Sequence, residues 1–198
     1  MNARALIAVL ATTTVLVAGC GSGGTGSTGG SPSASSSAGS SMKGMDMSQT
    51  DSGSGPSETA SMICGGEIRT AVRKNLALAT QPRPTHTWAQ ATRVFTCTYR
   101  LPGGTLRLSV NDARDAATGR GYFDRLRSDL PGAKAIGGME SFGFPSFANS
   151  RGNAVFLKDG KTLLVDASGL RRASLPAGFS REDAAYGVAS AVIACWSE

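Results

Sequence analysis

Three side chains that suit a soft metal ion stand close together in the first quarter of the chain. They are Met42, Met45 and Met47, in Ser41-Met42-Lys43-Gly44-Met45-Asp46-Met47. Thioether sulfur is a soft ligand that favours Cu(I) and, by the same logic, Ag(I). Met62 and Cys64 follow and add two more soft atoms. The chain has one histidine, His86, in Pro84-Thr85-His86-Thr87-Trp88, read as a loop before the first strand. A Ser/His/Asp or Cys/His site would have to use it. No G-x-S-x-G elbow accompanies it, and neither Gly65-Gly66 nor Gly103-Gly104 follows a strand and opens a helix as a phosphate loop does. The sequence therefore points to a protein that is not an enzyme, with Cu(I) as the one cofactor it suggests. Phe142, Phe144 and Phe147, with Gly137, Gly138 and Gly143, either line a groove or fill a core.

The chain has four cysteines, and Cys20 differs from the rest in its setting. Met1-Asn2-Ala3-Arg4 is short and positive, and residues 5–17 (ALIAVLATTTVLV) are uncharged. Thirteen uncharged residues are too few to cross a hydrocarbon core as a helix, which takes ~20. The segment reads as a signal peptide. It ends in Leu16-Val17-Ala18-Gly19-Cys20, which resembles the bacterial lipobox. That resemblance implies a diacylglycerol on the Cys20 thiol and cleavage between Gly19 and Cys20. It also allows a further acyl chain, such as palmitate, on the new amino terminus. Two or three chains anchor a protein stably where one is marginal. The expected location is the extracytoplasmic face of the cell membrane. The M-x-x-M-x-M cluster, in turn, resembles the methionine motifs of extracytoplasmic copper proteins.

Composition divides the chain into three parts: a signal peptide over 1–19, a lipidated Cys20 with a disordered Gly/Ser-rich tether over 20–58, and a folded domain over 59–198. A Gly/Ser-rich coil of this length reaches ~30–40 Å. The domain holds 18 Lys and Arg against 11 Asp and Glu, a net +7. Its charges are scattered singly, which reads as a solvated surface. An exported chain is not expected to meet nucleic acid. The membrane, through the lipid, is the expected partner, with an envelope protein or a small ligand as the second.

Within the domain, Cys64, Ile68, Val72 and Leu76 recur every four residues and predict a helix, with Arg73 and Lys74 in its last turn. Phe95, Cys97, Tyr99 and Leu101 alternate. Pro102-Gly103-Gly104 turns the chain, and Leu106, Leu108 and Val110 alternate back, a hairpin. Ala116, Phe123, Leu126 and Leu130 mark a helix over about 114–130. Residues 137–147 read as irregular or as a bulged strand. A second hairpin runs from 154–158 through Asp159-Gly160 to 162–167. Ser180 and Asp183 predict a capped helix start, with Ala184, Val188, Ala191, Val192 and Cys195 facing inward. The expected fold is α+β: a mainly antiparallel sheet of about 4–6 strands with three helices packed on it, preceded by the disordered tail.

In an oxidising compartment, Cys64, Cys97 and Cys195 suggest one disulfide, with three pairings open. Cys97 points to the core face, so either helix can supply its partner. No C-x-x-C marks a redox site.

Ile63-Cys64-Gly65-Gly66-Glu67-Ile68, Thr96-Cys97-Thr98-Tyr99 and Cys195-Trp196, behind a lipobox and linker, resemble the small secreted lipoproteins of actinobacteria. Fifteen Arg against five Lys fit a high-GC genome. The element order is similar to the PsbP-like α/β/α sandwich that some of those lipoproteins adopt. The resemblance implies a noncatalytic binding or accessory role, and a disulfide between Cys64 and Cys97.

Overall fold

Strand residues that alternate between apolar and polar need a core on one face, and here the core is reached by a hairpin. β2 (Val94–Leu101) and β3 (Gly104–Asp112) pair antiparallel, with Phe95, Cys97 and Tyr99 opposite Val110, Leu108 and Leu106. All six are buried. The computed structural model describes residues 54–197. Around this hairpin it builds a seven-stranded antiparallel sheet in the order β1-β2-β3-β7-β6-β5-β4. The outer members are β1 (Thr85–Ala89), β4 (Lys134–Ala135), β5 (Ser146–Asn149), β6 (Asn153–Lys158) and β7 (Lys161–Asp166). Four helices accompany them: α1 (Glu58–Ser61), α2 (Gly66–Asn75), α3 (Ala116–Asp129) and α4 (Arg181–Cys195).

The fold is α+β with an antiparallel sheet, as expected, but it has more elements than the periodicities predict. β1 places Thr85, His86 and Thr87 in solvent, so burial imposes no alternation on it. His86 is therefore a strand residue, not a loop residue. β4 and α1 are too short to carry a period. Residues 137–147 divide into a 3-10 turn, Gly138–Ser141, and the start of β5. Ser57, which composition assigns to the tail, already belongs to the fold: its hydroxyl caps α1. Cys64 ends a 3-10 turn, Met62–Cys64, just before α2 instead of lying inside it.

Each face of the sheet has its own core. Ala154, Phe156, Leu163 and Val165 join the hairpin residues and pack against Ile68 and Val72 of α2 and Val188 and Val192 of α4. The intervening residues, Val155 and Leu164, face the other way and meet Phe123 of α3 and Phe147 of β5. The result is three layers, with α2 and α4 on one side and α3 on the other. Ala116 of the predicted α3 stripe is exposed, and Gly119 is buried in its place. A Cβ at Gly119 would run into the carbonyl oxygen of Gly160. The absence of one lets α3 rest directly on the β6–β7 turn, where Thr162 Oγ1 donates to the Gly119 carbonyl at 3.2 Å.

Two helix starts are capped by carboxylates. Asp115 accepts from the backbone N–H and hydroxyl of Thr118, each at 2.8 Å. Ser180 and Asp183 form the predicted reciprocal box at α4. The N–H and hydroxyl groups on these carboxyls hold both below the usual aspartate range. A carboxyl with a depressed pKa in the fold stabilises it above the unfolded value, ~3.9, and that stability is lost as the pH falls through the folded value. Urea titrations should therefore show stability declining below about pH 4. Asp183→Asn should flatten part of that decline, and an unchanged slope would count against the cap.

Candidate functional site

At one end of the sheet the β1–β2 turn, the end of β3 and the start of α3 enclose a cleft of about 380 Å³. Its walls are Gln90, Ala91, Thr92 and Arg93 from the turn, Asn111 from β3, Ala113 just after it, and Arg114, Asp115 and Thr118 from the helix start. The volume is at the small end of ligand-pocket sizes.

The cleft's position depends on a buried carboxylate next to it. Asp112 is 2% exposed. It accepts from Arg93 Nη2 at 3.3 Å, from the Ser57 backbone N–H at 2.8 Å and from the Ser57 hydroxyl at 3.0 Å, and lies 3.4 Å from Lys161 Nζ. Arg93 Nε also donates to the Asp112 carbonyl at 2.6 Å, and the guanidinium lies over the Trp88 ring at 5.4 Å. Arg93 takes up a left-handed backbone conformation (φ 50°) that a β-carbon disfavours. The two side-chain bonds and the ring contact hold it there, and so hold the turn that forms one wall.

Arg93 is tied to Asp112, so the unpaired charged side chains left to a ligand on the cleft walls are Arg114 and Asp115, one of each sign. Arg114 is exposed and makes no ion pair among the described residues. Asn111, 4% exposed, donates its amide to the Thr92 carbonyl at 2.9 Å, while its Oδ1 has no hydrogen-bond partner among the described residues. An unmet buried acceptor costs about 1–3 kcal/mol. The cleft thus offers a cation, an anion, the amide of Gln90 and the hydroxyl of Thr92. That set suits a small polar molecule carrying both donors and acceptors.

The residues singled out from the sequence do not meet here. Cys20, Met42, Met45 and Met47 lie outside the described residues. Cys64 and Cys97 form a disulfide, with Cα atoms 5.6 Å apart. Cys195, half-buried at the end of α4, lies outside that bond. His86 sits on the exposed edge strand with its ring 5.6 Å from Phe95. The three phenylalanines part company: Phe147 is core, 5.1 Å from Phe123, Phe144 lies under Lys158 Nζ, and Phe142 is 46% exposed. They line no common groove. The cleft residues leave no joint pattern in the sequence because they come from segments some twenty positions apart. One signal was there to find: Asn111-Asp112 puts two polar residues at the end of an otherwise alternating strand.

No family model, curated protein or solved structure matches this chain.

Proposed function

We propose that this chain is an exported lipoprotein, held by lipid on Cys20 at the extracytoplasmic face of the cell membrane, whose domain binds a small polar ligand without transforming it. The observation that carries the reading is Leu16-Val17-Ala18-Gly19-Cys20 at the end of a short apolar stretch with a positive start. The cleft between the β1–β2 turn and α3 supplies the binding half, through Arg114, Asp115 and Thr92.

Cys20→Ser is the test of the anchor. Cells fed labelled palmitate should label the parent chain and not the variant, and the variant should leave the membrane fraction. A variant still labelled and membrane-bound would refute the anchor. The cleft is tested by melting the full chain against free amino acids, dipeptides and simple sugars. A ligand at one hundred times its Kd stabilises by about 2.7 kcal/mol. Arg114→Ala should abolish the rise in melting temperature for whichever compound produces one. A rise that survives Arg114→Ala places that compound elsewhere.

A second reading is favoured by Met42, Met45 and Met47: Cu(I) or Ag(I) held in the segment between the lipid and the domain. Titrating the full chain with Cu(I) should give binding tighter than micromolar that is lost when all three are changed to Leu. Weaker binding removes this reading.

A further inference from the structure

α3 leaves part of its face of the sheet open, and that part is lined by hydroxyls. Leu164 packs with Phe123 under α3. Ser109 lies opposite Leu164, Thr96 opposite Ser109, and Thr87 opposite Thr96, so all three share α3's side of the sheet. Thr96 Oγ1 and Ser109 Oγ are 3.1 Å apart, in agreement with this. Two residues along each strand, the next row on the same side is Thr85, Thr98 and Arg107, followed by Arg100 opposite Thr105. Thr85 and Thr87 are exposed, Thr96, Thr98, Thr105 and Ser109 are half-buried, and Arg100 and Arg107 are exposed. Rows on a sheet repeat at about 4.8 Å across strands and ~6.7 Å along them. The hydroxyls therefore form a regular grid instead of a scatter.

Charge gathers at one end of this grid. Arg100 and Arg107 stand on it, and Arg171 is fastened to the β2–β3 turn, its Nη2 donating to the Pro102 carbonyl at 2.7 Å. The acid on these rows is Asp166, opposite Arg107, and its Oδ1 already accepts the N–H and hydroxyl of Ser168. None of the residues in these rows is aromatic. Recognition must come from hydrogen bonds and positive charge. Hydroxyls both donate and accept, which matches the hydroxyls of a polyol. Arginine forks match carboxylates in two-point contacts.

We propose that the open half of the sheet, rows Thr87-Thr96-Ser109 and Thr85-Thr98-Arg107 with Arg100 and Arg171 at its end, binds an acidic polysaccharide. The surface shares no residue with the cleft, which it adjoins at Asn111, and does not depend on the lipid anchor.

The test uses the full chain in detergent with polygalacturonate, neutral dextran and single-stranded DNA as probes. Polygalacturonate should bind and dextran should not, with DNA about tenfold weaker than polygalacturonate. A charge-assisted hydrogen bond is worth enough to change affinity about tenfold, and a neutral one about fivefold. Arg100→Gln with Arg107→Gln should therefore weaken polygalacturonate about a hundredfold. Thr96→Val with Thr98→Val, which keeps the β-branched shape, should weaken it about twenty-five-fold. If that pair melts early, Thr85→Val with Thr87→Val on the exposed strand gives the same reading. Three outcomes overturn the proposal: no binding of polygalacturonate, DNA binding as tightly, or hydroxyl variants that bind as the parent does.

Discussion

Replacing both Cys64 and Cys97 by Ala is expected to lower the melting temperature of the domain by roughly 10 °C. The bond joins residues 33 apart in sequence. Closing a loop of that length in the unfolded chain removes entropy worth about 3–4 kcal/mol in the chain-entropy account. In the fold, Cys97 is fully buried in β2, between β1 and β3. Its partner ends the 3-10 turn that leads into α2. The bond therefore ties the α2 layer to the middle of the β1–β2–β3 half of the sheet. The two alanines also lose the packing of two sulfur atoms at the edge of the core. Calorimetry on the parent with and without reductant, beside the double variant, gives the measurement. A reduced parent that melts with the oxidised one would show that the bond carries no stability.

Asp112→Ala should cost about 2–3 kcal/mol. Removing one member of a buried ion pair usually costs more, but Arg93 and Lys161 are 18% and 22% exposed and regain some water. The variant also releases the Ser57 backbone and hydroxyl, which both end on this carboxylate. Two readouts should move together. Urea midpoints should fall, and a protease should cut earlier near Ser57 than it does in the parent. Asp112→Asn keeps an acceptor without the charge and should lie between the two. If Asp112→Ala loses stability without faster cutting near Ser57, the carboxylate does not fasten that segment. The cleft wall should loosen as well, because Arg93 would lose one of the two hydrogen bonds that hold its left-handed backbone.

Part of this structure is legible in the sequence because burial stamps a period on the chain. The β2–β3 hairpin showed in Phe95, Cys97 and Tyr99, and the α4 cap showed in Ser180 and Asp183. Asp159-Gly160 signalled a tight turn, and both residues have positive φ there, 49° and 74°. β1 left no such mark, since only Trp88 in it is partly buried. The second cluster, around Phe123, was hidden for a different reason. Val155 and Leu164 are apolar on the face opposite the main core, so β6 and β7 read as nearly continuous apolar runs and not as alternating ones. Such a run does not say that two faces are covered. The cleft depended on which loops the topology brings to one end, and local pattern carries no information about that.

The disulfide also decides how the domain would respond to tension arriving from its N-terminal side. A pull there first meets a series of small attachments: Trp88 Nε1 on the Ser54 carbonyl, Asp112 on Ser57, Trp196 Nε1 on the Thr59 carbonyl and the Tyr99 hydroxyl on the Ile63 carbonyl. Each is a hydrogen bond or two, joined by the buried side chains of Ala60 and Ile63, and they would yield one after another. At Cys64 the load then passes across the sulfur bridge straight to Cys97, inside the sheet. Residues 65–96, which include α2 and β1, are spared the strain. The chain can pay out about ten residues as a shock absorber and is then brought up short by a covalent stop.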